Sequence, residues 1–315
     1  ADHGGDATQV KYLLVNHVAL GHGNTPGAYR IGDLWLADLR AQARAIADAG
    51  MRLVVATPCV PANAPLSASG SFNTIEITPS EQGFEYVPLP RYLSMREYLT
   101  VRKPLQHALR EAMRDADVVQ LGYGGHPVAL GQVAWPIAGE LGRKRIWIFD
   151  GADPFPRLEL DAKKTRNPIK RFIKRRRVKQ FEAFCRDAVA HSTAVFAHNA
   201  SVVKRFAAQW GPHCHAFDRS FVTDEVLIAP DDLARRQGFL LESNRPLRLV
   251  VAGRQIYIKG TDQIIRALAK ARRLSVPVEL DVLGDGEDLN GFKRLAAELK
   301  VAEHVRFLGT VPGTV

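Results

Sequence analysis

Apolar residues along this chain fall either into short unbroken runs or into longer stretches where they return every third or fourth position. A short run bounded by turn formers reads as a buried strand, and a 3.6-residue period as a helix with one face on a core. Val10 to Val18 predicts a first strand. The following Gly21-His22-Gly23-Asn24-Thr25-Pro26-Gly27 is too rich in turn formers to continue it and opens a loop. Asp33 to Ala49 repeats Leu34, Leu36, Leu39, Ala43 and Ile46 at helical spacing, with Gly50 in the place of a C-cap. Met51 to Ala56 returns as a strand, so the chain begins βαβ.

The alternation continues. Ser67 to Gly83 is polar and turn-rich, and Phe84 to Leu89 is the next strand. Arg96 to Asp115 predicts a helix, Asp117 to Leu121 a strand, Val128 to Leu141 a small-residue helix and Arg145 to Phe149 a buried strand. A long helical region covers Pro168 to His191, Thr193 to Ala197 is a strand, and Asn199-Ala200-Ser201 opens a further helix. This is the rhythm of a doubly wound α/β sheet. Pro212 to Asn244 lacks a clean period and contains Pro230-Asp231-Asp232, so the interdomain connection is placed after Ile228. Beyond it come strand Leu247 to Ala252, helix Thr261 to Leu274, strand Val278 to Leu283, helix Leu289 to Lys300 and strand Val305 to Leu308. The expectation is a Rossmann-like domain over 1–228 and a βαβαβ half of a second over 229–315.

With 46% apolar residues in 315, both domains can build cores. The longest apolar runs are strand-sized, far short of the roughly 20 residues a spanning helix needs. Ala1-Asp2-His3-Gly4-Gly5-Asp6 is polar and acidic with no apolar core behind it, unlike a signal peptide. Cys59, Cys185 and Cys214, odd in number and far apart, fit reduced thiols rather than a disulfide framework. These features together read as cytoplasmic.

The most informative chemistry lies in Gly253-Arg254-Gln255-Ile256-Tyr257-Ile258-Lys259-Gly260, between an apolar strand and a helical segment. A glycine ending a strand lets backbone approach a ligand, and an arginine fork with a lysine five residues on can grip a diphosphate. The bland alternative is a tight turn with solvated cations. Val282-Leu283-Gly284-Asp285-Gly286 and Val305-Arg306-Phe307-Leu308-Gly309 follow in order, placing glycines at successive strand ends, where ligands of such sheets sit.

These three landmarks make residues 246–315 resemble the donor-binding domain of retaining family 4 glycosyltransferases, enzymes with two facing Rossmann-like domains in the GT-B fold. The resemblance implies a donor, a UDP or GDP sugar, held by Gly253, Arg254, Lys259, Gly284, Gly309 and Thr310, with the base near Gly309-Thr310. It implies transfer of the sugar to an acceptor hydroxyl with retained anomeric configuration, the leaving phosphate taking the proton, and no metal or other cofactor required. In the first domain it implies that the Gly21 to Gly27 loop, through Gly21 and Gly23, approaches the donor phosphates and the acceptor and that Asp150 faces the donor sugar; His22 and Asn24 in that loop, and Asp153 near Asp150, are the acceptor candidates. His126, after Gly122-Tyr123-Gly124-Gly125, is the second catalytic candidate. Ordinary turn, cap and core roles stand as alternatives for each. The family's donor domain continues past the Gly309 turn with a pair of spaced glutamates that has no counterpart here, so the second domain is expected to be incomplete and the chain a fragment.

Charge adds a second feature. Lys163, Lys164, Arg166, Lys170, Arg171, Lys174, Arg175, Arg176, Arg177 and Lys179 carry ten positive charges with no acid among them, equal to the net charge of +10. Ile169, Phe172, Ile173 and Val178 interleave, so a helix here could dock on an anionic membrane, on the inner face as a peripheral protein. The alternative is that these apolar residues pack on the domain. Nucleic acid is the rival partner, but only Phe172 and Phe181 flank the run and no recognition signature accompanies it. His213-Cys214-His215 has metal-ligand types, yet three consecutive residues cannot face one ion in ordinary strand geometry. No Walker loop and no Gly-x-Ser-x-Gly elbow occurs. Two other functions remain compatible: a non-catalytic scaffold relative, and a nucleotide-sugar epimerase, whose chemistry the Arg and Lys spacing fits less well.

Overall fold

The computed structural model describes residues 9–66, 74–124, 128–149, 153–198, 200–217, 227–241 and 246–311. The chain divides into two compact units, Ala1–Arg219 and Ser220–Val315, where the sequence pattern had suggested a boundary after residue 228. Both are mixed α/β structures built on parallel strands.

The first unit runs β1 (Val10–Val15), β2 (Leu20–His22), β3 (Tyr29–Gly32), α1 (Asp33–Asp48), β4 (Met51–Val60), β5 (Thr74–Ile77) and β6 (Phe84–Leu89). It continues with α2 (Met95–Met113), β7 (Val118–Gly122), α3 (Leu130–Glu140), β8 (Lys144–Phe149), α4 (Pro154–Lys164), α5 (Pro168–His191), β9 (Ala194–Ala197), α6 (Ala200–Arg205) and β10 (Cys214–Ala216). Its parallel strands lie in the order β6-β4-β1-β7-β8-β9-β10. From β1 the chain winds outward to β4 and β6, then crosses to β7 and winds the other way, so the order reverses at the β1–β7 pair.

Side-chain alternation assigns each face its helices. On β1 and β4, Leu13, Val15, Val54 and Ala56 join a core with Leu105 and Leu109 of α2, Ala134 of α3 and Val189 of α5. The intervening Leu14, Leu53 and Val55 pack with Leu36, Leu39 and Ala43 of α1. Each fully buried leucine contributes about 1.5–3 kcal/mol, so α1 is held by its buried stripe more than by its propensity. Both faces of the sheet are therefore covered, as unbroken apolar strands require.

The early loop differs from the expectation. The first strand stops at Val15, and Gly21 and His22 belong to β2, which pairs antiparallel with Tyr29 and Arg30 of β3 and parallel with Cys59 and Val60 of β4. β4 runs ten residues, past the expected end at Ala56, and that overhang gives the hairpin its edge. Arg30 fastens the turn, donating to the carbonyls of His22, Pro61 and Ala64.

The second unit contains α7 (Pro230–Leu241), β11 (Leu247–Ala252), α8 (Thr261–Arg273), β12 (Val278–Leu283), α9 (Leu289–Glu298) and β13 (Val305–Gly309). Its sheet is parallel in the order β11-β12-β13. Leu280 and Val282 pack with Ile265 and Leu268 of α8 and Phe292 of α9 on one face. The opposite face carries the pairs Arg248–Glu279 and Asp281–Arg306. Among the described residues, no helix is long and apolar enough to cross a membrane.

Candidate functional site

In the second unit the three strand ends meet in one row of loops. Gly253, Gly284 and Gly309 close β11, β12 and β13 with φ of +144°, +104° and +68°. Gly253 N–H donates to Leu283 O at 3.2 Å and Gly284 N–H to Gly309 O at 2.6 Å, so each end is fastened to the next. Position 284 requires glycine twice over: its φ is left-handed, and a Cβ would run into the Gly253 carbonyl.

Arg254 and Lys259 are both exposed, and among the described residues neither has an ion-pair partner. Lys259 ends a one-turn 3-10 helix, Tyr257–Lys259, and Gly260, with φ of +78°, turns the chain into α8. Lys259 thus stands at the positive end of a 13-residue helix, where backbone dipoles favour an anion. Arg254 follows the β11 glycine directly. Thr310 follows the β13 glycine and is exposed. Two cations, a helix N-terminus and three glycine strand ends can together meet a diphosphate.

Sequence reasoning passed over the groups that brace this loop. Gln255 is 1% exposed and joins β11, β12 and α8 through its side chain. Asp288, just before α9, accepts from Tyr257 N–H at 2.6 Å. A polar residue inside a motif defined by its glycines and cations gives no periodic signal, so only the folded arrangement reveals these roles.

The first unit holds a cleft of about 450 Å³ beyond the carboxyl ends of β1 and β7, where the strand order reverses. Ligands of doubly wound sheets bind at such switch points. Asn16, His17, Gln120, Gly122, Phe196 and Phe217 are among its lining residues. The Tyr12 hydroxyl donates to Gln120 Oε1 at 2.6 Å, and burial pushes its pKa up to about 12, so it stays a neutral donor at ordinary pH. A Cβ on Gly124 would overlap the His17 imidazole, and one on Gly131 would overlap the Gly122 carbonyl; these glycines let the ring and α3 close onto the cleft.

His22 and Asn24, expected at the acceptor, are not among the residues lining this cleft. His22 lies against Tyr29, with ring centroids 5.8 Å apart, and the backbone N–H and side-chain amide of Asn24 both donate to the Glu76 carboxylate. Gly21 and Gly23 sit in the same hairpin; a side chain at 21 would meet the Arg30 guanidinium and one at 23 the Ala28 backbone. Asn16 and His17, which follow β1, line the cleft. The apolar reading that carried the first strand through to Val18 had placed them inside it.

Asp153 caps α4, accepting from Phe155 N–H at 2.9 Å and from the Ser201 hydroxyl at 2.9 Å, with Arg205 at 3.8 Å. Its carboxylate is thus committed within the unit. Asp150 and His126 lie outside the described residues. Among the described residues no group of His, Cys, Asp and Glu is placed to hold a metal ion, and His213 instead contacts the Val189 carbonyl at 2.9 Å.

Of the basic run, Lys163 and Lys164 end α4 and the rest from Lys170 onward lie on α5, whose first turn is capped by Asn167. Ile169 is 70% exposed, Phe172 65% and Ile173 43%, all within one helical turn and a half. Val178 and Phe181 pack against the core instead. Lys170, Arg171, Arg175, Arg176 and Arg177 are exposed along the N-terminal half of α5, and Lys174 pairs with Asp161 of α4 at 2.7 Å.

Residues 235–315 match the family described as Glycosyl transferases group 1, a stretch that includes all three glycine strand ends. A GDP-mannose-dependent alpha-(1-6)-phosphatidylinositol monomannoside mannosyltransferase of Mycolicibacterium smegmatis is 34% identical over 110 residues, a match covering 34% of this chain and 28% of that protein. HepE of Anabaena, solved with UDP and glucose, overlays with a TM-score of 0.55 at 13% identity, covering 96% of this chain and 70% of that one. WaaG, a glycosyltransferase involved in lipopolysaccharide biosynthesis, overlays with a TM-score of 0.54 at 18% identity, covering 95% of this chain and 70% of that one. At such identities these overlays speak to the fold, which is GT-B-like with two Rossmann-like α/β domains.

Proposed function

We propose that this chain works as a retaining glycosyltransferase of the family 4 type, moving a sugar from a nucleoside diphosphate to a hydroxyl of a glycan or lipid-linked acceptor at a membrane surface. The carrying observation is the row of glycine strand ends beside two exposed cations, Arg254 and Lys259, without ion-pair partners among the described residues and within the segment that matches group 1 glycosyl transferases. In the transition state the bond from anomeric carbon to phosphate oxygen breaks, the acceptor oxygen bonds to that carbon, and its proton passes to the departing phosphate. The charge growing on the diphosphate meets a guanidinium fork and an ammonium already in place, which is where preorganised electrostatics lowers a barrier. No metal is needed where two side chains supply that charge.

The base is assigned to the Gly309-Thr310 backbone, and the donor to the UDP or GDP class. The name of the mycobacterial relative makes GDP-mannose the first sugar nucleotide to try. The acceptor is assigned to the switch-point cleft with Asn16, His17 and Gln120. Asp150 keeps the sugar-facing role that the resemblance implies, and His126 stays the second catalytic candidate.

The exposed Ile169, Phe172 and Ile173 amid the cations of α5 support docking on an anionic bilayer on the cytoplasmic side. Each cation there contributes about 1 kcal/mol near the headgroups, screened by salt, and the apolar residues add insertion. A thermal-shift panel of UDP- and GDP-sugars tests the donor assignment. One of them should raise the melting temperature saturably above matched nucleoside monophosphate; a flat panel removes the proposal.

A further inference from the structure

We infer that Gln255 is a positioning residue for the diphosphate site: it holds the backbone on either side of Arg254 and so aims that guanidinium before any ligand arrives. The inference rests on the reading of Arg254 as a diphosphate ligand and adds what fixes it.

The side-chain amide of Gln255 has two N–H donors and one carbonyl acceptor, and all are used. Nε2 donates to Gly253 O at 2.8 Å and to Leu283 O at 2.8 Å. Oε1 accepts from the Thr261 hydroxyl at 2.8 Å. The reverse orientation would set the amide oxygen against two carbonyls, so the partners themselves fix which way the group lies. The main chain of the same residue adds two bonds, N–H to Asp285 O at 2.9 Å and C=O from Asp288 N–H at 3.1 Å. One residue thereby ties the ends of β11 and β12, the turn after β12, the start of α9 and the first residue of α8.

Arg254 sits inside this brace. The carbonyl before it is held by the Gln255 amide, its own carbonyl accepts from Ile256 N–H at 2.9 Å, and the next N–H is held by Asp285. Its backbone is clamped on both sides while its side chain remains exposed and without an ion-pair partner among the described residues. A cation presented this way loses less freedom on binding than one on a loose loop. Gln255 and Thr261 are buried, at 1% and 0% exposure, so neither side chain is open to a ligand arriving from solvent. The part they play is therefore transmitted through Arg254.

The test is calorimetric titration of UDP and GDP into the full chain and into Arg254→Ala, Gln255→Met and the double variant. Gln255→Met keeps length and volume and removes every hydrogen bond of the amide. Each single substitution should weaken the tighter of the two diphosphates by about tenfold or more, and the double variant should bind no more weakly than Arg254→Ala alone. Wild-type affinity in Gln255→Met, or losses that multiply independently in the double variant, overturns the positioning role while leaving the diphosphate site standing. An unchanged affinity in Arg254→Ala removes the site itself and the inference with it. Should Gln255→Met fail to fold, Thr261→Val takes its place, removing only the hydroxyl that holds the amide. It should give a several-fold loss that vanishes in the Arg254→Ala background, and full affinity in Thr261→Val overturns the role.

Discussion

The amide hydrogen of Gly284, just after β12, and the carbonyl oxygen of Gly309, the last residue of β13, share a hydrogen bond of 2.6 Å. The β12–β13 register slips just before this point, setting Leu283 opposite Gly309, and the bond closes the slip. The loops after β11, β12 and β13 are consequently one connected shelf whose shape depends on residues with no side chain.

Gly284→Ala should therefore be costly. A Cβ there meets the Gly253 carbonyl at a φ of +104°, so strain and collision add, and a loss of about 1–3 kcal/mol is expected. Gly50→Ala, also at positive φ but with open space around it, serves as the comparison. Urea unfolding should show the larger drop for Gly284→Ala, with diphosphate binding lost as well; equal midpoints would contradict the account of the shelf.

Phe172 is two-thirds exposed, so replacing it with glutamate should leave the melting temperature nearly unchanged. The same change on the apolar side of a basic helix should sharply reduce sedimentation with anionic vesicles, because insertion is lost and a negative charge is added. Retention on RNA at matched salt is the counter-measurement. Vesicle binding that survives Phe172→Glu would mean α5 does not meet the bilayer.

Much of the architecture was legible because it is periodic. The long helical region of Pro168 to His191 is the helix α5, and the strands Phe84–Leu89, Leu247–Ala252 and Val278–Leu283 stand where apolar residues recur between turn formers. What escaped lacks such a signal. β2, β3 and β10 are three or four residues long, too short for any period, and exist because β4, β5 and β9 offer edges distant in sequence. α4 begins Pro154-Phe155-Pro156, whose prolines read as a break although they suit a first helical turn. Pro58 hid the second half of β4, where it lies in register with Leu89. In the second unit, the placing of the glycines and of Arg254 and Lys259 at strand ends was readable from spacing, while the contacts of Gln255 and Asp288, and the placing of Asn16 and His17 at the cleft, depend on neighbours in space.

Asp153 tests whether a carboxylate expected at the acceptor is structural. It caps α4, accepts from Ser201 and lies near Arg205, so Asp153→Ala should cost about 1–2 kcal/mol in chemical unfolding, the range of a lost N-cap. Asp153→Asn, which can still accept from Phe155 N–H, should recover most of it. Full stability in Asp153→Ala would reopen a role for this residue in binding.

Acid should weaken the second unit through Asp281. The bidentate Arg306 guanidinium holds its carboxyl below the ordinary carboxylate pKa, so the folded state favours the charged form. The pair's contribution is complete above the unfolded value of about 3.9 and is lost as pH falls through the lower folded value. The wild-type advantage over Asp281→Asn in melting temperature should be constant at neutral pH and shrink in that acid window. A constant difference down to strongly acidic solution would exclude the linkage.

The central claim is that Arg254 and Lys259 bind the diphosphate of an activated sugar. Calorimetric titration of UDP and GDP into the wild-type chain and into Arg254→Ala/Lys259→Ala, at several salt concentrations, addresses it directly. Both side chains are exposed and make no ion pair among the described residues, so the variant should melt at the wild-type temperature, yet its affinity should fall by about a hundredfold or more as two charge-assisted contacts are lost. Equal affinity in the folded variant would contradict the account.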